Sequence, residues 1–551
     1  MRLMLGLVLS ALSLWAFPLG AQAAEGPHDR LVIGVAQFPS GLNPTIAGQD
    51  ILTYAAGFGL RPVTTLDHDG HVVCLLCAEV PTLENGLAKR EGNGLAVTIK
   101  VKPGLAWGDG VPFTAHDIAF TWQLQHDQAG GFVSTYPWSR ATSVDVPDDQ
   151  TAVLHLGRTY TSFQFWGTVL SEHMERPIVQ AAATPADYIN HTLYNRAPTT
   201  PGLWDGPYMP ASYQINQTID YVPNPYWNGP KPGFAHIALR LIENTAALQA
   251  NLLSGDVDMT PGGTGLSLDQ AIALQKDHGD RFRFLFKSKI IYEHLEAQLA
   301  NPILQDRNVR EALLRGVDVQ AIVSKLFGGH AEVARSFINA LDPHYTADVP
   351  TYPYNPARAR ALLDGAGWSP GPDGIRRNAK GERLSLEFVT TSGNRVRELT
   401  QQVMQSQWRA IGVEATIHNV PSREFFGETL KHREYTGLAE FASTLEPLLV
   451  PWSRLSSPYI PSAANNWAGQ NYSGVTDARL DALIAAAQYE LDATKQQAIW
   501  TEIQQIYATQ LYGLPLYFPQ DPDIVPIWLA GYESTGKESY MSFYAESWRS
   551  K

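Results

Sequence analysis

Positive charge and cysteine are both scarce in this chain. Across 551 residues, 41 Lys and Arg stand against 54 Asp and Glu, for a formal net charge of −13. A chain with no basic footprint lacks the surface that tracks a phosphate backbone, so no nucleic acid partner is expected. Past the first two dozen residues, no stretch is apolar and long enough to span a bilayer. Neither a Gly-x-Ser-x-Gly nucleophile elbow nor a His-Glu-x-x-His zinc helix occurs. The glycine cluster Gly262-Gly263-Thr264-Gly265 lacks the Lys-Ser/Thr pair of a phosphate loop and reads as a flexible connection. These absences leave no enzyme signature, no catalytic residue and no cofactor to expect.

What the chain does have is size, aromatic content and an apolar leader. Its length exceeds what one core can serve, so several domains are expected. With 44% apolar residues, 14 Trp and 23 Tyr, it is a folded protein with large cores or recognition surfaces. Arg2 precedes an apolar run from Leu3 to Leu19, and Ala21-Gln22-Ala23 offers a small-x-small cleavage site. That is the pattern of a secretory signal peptide over residues 1–23. Its removal takes Arg2 with it, so the mature charge becomes −14. No cysteine sits at the cleavage site for a lipid anchor, and the expected destination is the periplasm.

The most informative stretch runs from Val97 to Gln123. Val97, Ile99 and Val101 alternate with Thr98, Lys100 and Lys102, which predicts a half-buried strand. Pro103-Gly104 and Gly108-Asp109-Gly110 break it, and Thr114 with Asp117 forms a capping box ahead of an amphipathic helix. The wording of this strand, loop and helix resembles the signature of the extracellular solute-binding proteins of family 5, receptors of ABC importers. Gly108 stands where the family usually has His. The resemblance continues in order through Leu42-Asn43-Pro44, Asn224-Pro225-Tyr226-Trp227, Gly255-Asp256-Val257-Asp258, Asn301 to Asp318, Tyr354 to Trp368 and Leu514-Pro515-Leu516-Tyr517.

Alternating strand and helix signals indicate an α/β fold. The resemblance implies more: a two-lobed periplasmic binding protein fold of type II, cluster C, with an extra subdomain in lobe I and two hinge crossovers. Mapped here, lobe I covers 24–285 with an insert at about 66–201, lobe II covers 286–518, and 519–551 returns to lobe I. The implied function is the substrate-binding component of an ABC importer. It would take a small solute, best an oligopeptide, and deliver it to the transmembrane permease subunits as a monomer. Oligosaccharides, opines and metal chelates are the alternative ligands within the same fold. A chaperone-like role, binding unfolded chains without closing, is a further class.

The implied site has three parts. The loop after the first strand supplies Phe38, Ser40 and Leu42. A strand around Glu440, Phe441, Ala442 and Ser443, followed by Glu446, corresponds to the family strand that pairs with a peptide backbone. Ser443 occupies the position of the family Asp that holds the peptide amine, so Glu440 and Glu446 become the candidate acids. Trp467, Asn471 and Tyr472 are further pocket candidates, and Arg395, with Arg397 beside it, is the candidate for a ligand carboxylate. Each of these residues also has a plain reading as core or solvated surface.

The cysteines, Cys74 and Cys77 in CLLC, leave two readings open. In an oxidising compartment they form a short disulfide. Alternatively His68, His71, Cys74 and Cys77, recurring every third residue, are a zinc or redox site of an exported protein.

Overall fold

The computed structural model describes residues 28–46, 49–127, 135–242, 244–287, 291–444, 450–465, 467, 469–520, 522–536 and 541–551. The expected leader and Glu446 lie outside the described residues.

The first half of the chain contributes strands β1 (Arg30–Val35), β2 (Thr64–Leu66), β3 (Val72–Cys74), β4 (Ala88–Glu91), β5 (Gly94–Lys100), β6 (Ala141–Asp148), β7 (Thr151–Leu156), β8 (Tyr208–Gln214), β9 (Thr218–Pro223), β10 (His236–Leu241) and β11 (Phe282–Leu285). The second half adds β12 (Ile291–Ala297), β13 (Ala331–Val333), β14 (Ser385–Val389), β15 (Glu414–Ile417), β16 (Leu438–Thr444), β17 (Gly513–Pro519) and β18 (Asp523–Pro526).

The first large sheet is four-stranded in the order β1-β10-β9-β8, with β1 parallel to β10. The apolar run of β1 is explained by burial on both faces: Leu31, Ile33 and Val35 are fully enclosed on one, and Val32 and Gly34 are buried on the other. A second four-stranded sheet, β4-β5-β7-β6, is antiparallel and stands beside the hairpin β2–β3. Val97, Ile99 and Val101 point into its core as the alternation predicts. At the head of the helix Ala115–Asp127, the Asp117 carboxylate accepts the Thr114 amide at 2.9 Å and the Glu172 amide at 3.0 Å. The same motif loop is tied down by Asp109, which meets His173 at 2.9 Å, while His173 reaches the buried Ser171 hydroxyl at 3.0 Å.

The other large sheet has six strands in the order β13-β17-β12-β16-β14-β15. Its β14, β15 and β16 run parallel, whereas β12 and β17 join antiparallel to their neighbours. The helix Arg395–Ala410 crosses between β14 and β15, capped by Asn394, whose side chain accepts the Arg397 amide. Met404 and Trp408 from that helix join Val309, Leu313 and Phe388 in one core. Tyr292, Trp500, Ile503 and Tyr507 form another on the opposite side of the sheet.

Between the two large sheets the chain passes through β11 and β18, which pair antiparallel with each other from Phe282↔Pro526 to Leu285↔Asp523. The last residues rejoin the first core, where Trp548 packs edge-on to Phe58 at 5.7 Å. The helix Leu268–His278, just before β11, places Leu268 in the second core.

Gly437 precedes β16 at a point of close backbone approach. A Cβ there would overlap the Glu387 carbonyl oxygen of β14. Gly437→Ala is therefore expected to destabilise the protein by about 3 kcal/mol, because backbone cannot rotate aside as a side chain does. Urea unfolding of the variant against wild type measures it.

Candidate functional site

The site is organised by the pairing of β12 with β16. Their register sets Tyr292 opposite Ser443, His294 opposite Phe441 and Glu296 opposite Ala439. Alternation puts these six on one face of the sheet and sends Glu293, Leu295, Glu440 and Ala442 to the other. Acidic residues inside a central strand are uncommon, and each face of β12 deals with its own differently.

On the first face, His294, Glu296, Ser443, Arg454, Gln470 and Ser473 are among the residues enclosing a cavity of about 30 Å³, room for a water or so. Arg454 donates to the Ser443 hydroxyl. Glu296 meets His294 at 3.1 Å and accepts the Ser473 amide at 2.9 Å and its hydroxyl as well. Burial pushes the Glu296 carboxyl up, but the His294 imidazole and the Ser473 donors outweigh it and hold the group below its ordinary value. The His294 ring stacks on Tyr292 at 4.7 Å and takes the edge of Phe441 at 4.6 Å. The result is a polar lining on rigid strands with aromatic walls.

The opposite face carries a carboxylate pair and one cation. Arg397 forks onto Glu293, with Nε to Oε1 at 2.6 Å and Nη2 to Oε2 at 3.1 Å. Glu440 is fully buried, and neither of its carboxyl oxygens has a hydrogen-bond partner. Burial raises its proton affinity well above the ordinary value, and the Glu293 charge raises it further against the pull of Arg397.

One edge of β16 is short of strand partners. β12 pairs it from Leu438 to Thr444, whereas β14 pairs it only at Leu438 and Ala439. The Thr390 hydroxyl donates to the Glu440 carbonyl at 2.7 Å, and beyond that point no strand follows on this side among the described residues.

The structure brings some expected residues together and separates others. Phe441 and Ser443 line the cavity, and Tyr472 stands against Phe441 at 6.1 Å. Three of the expected residues are enclosed. Leu42 is fully buried in the first core, because its amide is held by Asn195 at 2.9 Å. Glu440 is sealed on the face opposite the cavity, a consequence of strand alternation. Asn471 is also fully buried, its amide donating to the Ser456 and Val475 carbonyls and its oxygen accepting the Gly474 and Val475 amides. Ala442 lies half-buried on the Glu440 face.

Trp467 belongs to a second, wider recess of about 720 Å³ that includes Gln298, Asn301 and Glu434. It adopts a left-handed backbone (φ 59°) and meets His432 edge-on at 4.7 Å. Arg395 is exposed, and it is Arg397, two positions on, that turns toward the sheet. Phe38 packs half-buried against Tyr213 at 5.8 Å, and exposed Ser40 has its amide bonded to Gln49, both in the first-sheet half. Sequence reasoning missed His294, Glu296, Arg454 and Ser473. The alternation of Glu, His and Glu within the strand-like IYEHLEA was the available signal.

The zinc alternative is not met by the placement of these residues. Cys74 and Cys77 are bonded to each other, with Cα atoms 5.1 Å apart, which withdraws both sulfurs from a ligand set. His68 faces Asp69 and Glu533, and His71 faces Asp67. Among the described residues no group of three or more His, Cys, Asp and Glu is placed to hold a metal ion, and no helix is long and apolar enough to cross a membrane.

Comparison with known proteins adds a family. Residues 82–440 match the model of the bacterial extracellular solute-binding proteins, family 5 middle. The chain is 24% identical over 515 residues to the oligopeptide-binding protein AppA of Bacillus subtilis, covering 91% of this chain and 88% of that one. It is 26% identical over 513 residues to protein XP55 of Streptomyces lividans, covering 90% and 87%. Among solved structures it resembles the oligopeptide-binding protein of Thermus thermophilus complexed with a pentapeptide. That match has 27% identity and a TM-score of 0.72, and covers 95% of this chain and 97% of the other.

Glu440 yields a pH test. Its folded proton affinity lies above the unfolded value of 4.5, so its contribution to stability is complete below that pH and is lost as pH rises. Glu440→Gln keeps the shape without the proton to lose. Relative to wild type, the variant is expected to gain stability progressively as pH rises above 4.5. Urea midpoints of both proteins between acid and neutral pH give the difference, and a constant difference refutes the assignment.

Proposed function

The chain belongs to the bacterial extracellular solute-binding proteins of family 5, and on that premise we propose that it is the periplasmic receptor of an ABC importer for short peptides. The observation that carries the reading is the edge of β16 that no strand pairs beyond Ala439 among the described residues, beside the cavity of Phe441, Ser443 and Arg454. An extended peptide adds to such an edge through main-chain hydrogen bonds that do not depend on its sequence, while pockets take its side chains. Relatives named as oligopeptide-binding proteins, and the pentapeptide complex of the Thermus relative, support the same ligand class.

The ligand is captured between the two lobes, which close about the ribbon β11–β18 and present a closed surface to the permease subunits. Phe38 and Ser40 face it from the first lobe, and Phe441, Ser443, Tyr472 and Trp467 from the second. The leader 1–23 directs export, and the mature protein works as a soluble monomer without catalytic chemistry.

A second reading keeps the receptor and changes the ligand. It is favoured by Ser443, whose hydroxyl is held by Arg454 where an amine-binding carboxylate is the family expectation. A solute without a free amine, such as an oligosaccharide, an opine or a metal chelate, then occupies the cleft.

Native mass spectrometry of the purified mature protein, before and after denaturation, separates the two. A heterogeneous added mass that resolves into short peptides is the expected result. A single discrete non-peptide mass overturns the peptide assignment in favour of the second reading.

A further inference from the structure

The small β4–β7 sheet and its neighbouring hairpin take no part in the site described above, yet they touch the second lobe at two separate places. The first place is the chain just after β7. The Thr161 amide donates to the Gln488 carbonyl at 3.0 Å and the Thr159 hydroxyl to the Tyr489 carbonyl at 2.8 Å. Arg158 donates to the Tyr489 hydroxyl at 3.1 Å with its guanidinium 5.4 Å from the ring centre, and Tyr160 meets the same ring at 5.7 Å. Gln488 and Tyr489 lie in the short link between the helices Ala478–Ala487 and Ala493–Gln510, which belong to the second lobe.

The second place is the tip of the β2–β3 hairpin. Gly70 has φ 84°, and a Cβ there would lie 2.6 Å from the Leu341 carbonyl of the second lobe. Lys287, which closely follows β11, donates to the His68 carbonyl in the same tip and to the Ser534 carbonyl at 3.2 Å. The hairpin is braced from behind by the Cys74–Cys77 disulfide and by Lys102, whose ammonium donates to the Cys74 and Leu75 carbonyls at 3.1 and 3.0 Å.

We propose that this subdomain is the closure clamp of the receptor: its Arg158–Thr161 segment and the Gly70 tip hold the second lobe in the closed position and so set how long a ligand stays bound. The first contact is small, polar and half-exposed, the kind of interface that forms and breaks with domain motion, and the second is a close backbone approach at the hairpin tip. Their acceptors are mostly backbone carbonyls, so the clamp reads lobe position and is indifferent to the ligand. The inference rests on the two-lobed receptor reading and gives the CLLC disulfide a role as the brace of a mechanical stop.

The test uses the full mature chain, stripped of ligand by denaturation and refolding, with a pool of random pentapeptides as the probe. Tyr489→Ala removes the ring and hydroxyl contacts; Gly70→Ala obstructs the second contact from a different fold element. Each is expected to leave the association rate unchanged and to speed dissociation about tenfold, the scale of ordinary coupling between sites. Each is also expected to increase the radius of gyration of the stripped protein in small-angle X-ray scattering. Wild-type dissociation rates and an unchanged radius in both variants overturn the clamp. Where wild type itself fails to take up the pool, the peptide reading falls, and the radius of gyration alone decides the clamp.

Discussion

Everything in this molecule depends on how the chain passes between its two large sheets. It crosses outward at β11 and back at β18, and the two crossings are hydrogen-bonded to each other as an antiparallel pair. Two independent linkers would let the halves tumble separately. A paired ribbon twists and bends as a unit, which restricts relative motion to a narrow path and lets distant contacts set its end point. β18 is further bonded to Thr260, whose amide donates to the Ile524 carbonyl at 3.0 Å, so the ribbon is rooted in the first half. The clamp contacts at Tyr489 and Gly70 gain their leverage from that restriction.

The second sheet carries the burden of buried charge. Glu293 is matched by Arg397, Glu296 by His294 and Ser473, and Glu440 has its proton affinity raised by burial. Three different solutions serve three acids within two adjacent strands. Each follows from burial: an ion removed from water needs a counter-ion, several donors or a proton. The cost of such an arrangement is offset by preorganisation, since the cavity wall formed by Ser443, Arg454, His294 and Glu296 cannot rearrange without breaking several bonds at once. The first sheet, by contrast, is apolar along β1 and serves as a platform.

Much of the fold was legible because local patterns agreed with the tertiary outcome. The alternation at Val97, Ile99 and Val101, the Thr114–Asp117 cap and the Cys74–Cys77 pair each involve residues within a few positions of one another. Where a signal spans distance, the tertiary structure decides the surroundings. Leu42 matches a ligand-loop pattern, yet Asn195 draws its amide into the core. Glu440 reads as an available acid, yet the pairing register places it on the sealed face. Asn471 looks like a pocket amide, yet the turn from Ser456 to Val475 uses all of its hydrogen-bonding capacity.

By itself, then, the sequence determined the family, the α/β class and the order of elements, because these rest on periodicity and motif wording carried along the chain. Only the tertiary structure decided which residues of β16 face the cavity, that Arg397 rather than Arg395 turns inward, and that Arg454 backs Ser443. It alone also joined Arg158 to Tyr489, residues separated by most of the chain. The reason is physical: a one-residue change of register exchanges the two faces of a strand, and register is set by partners that a linear pattern does not name.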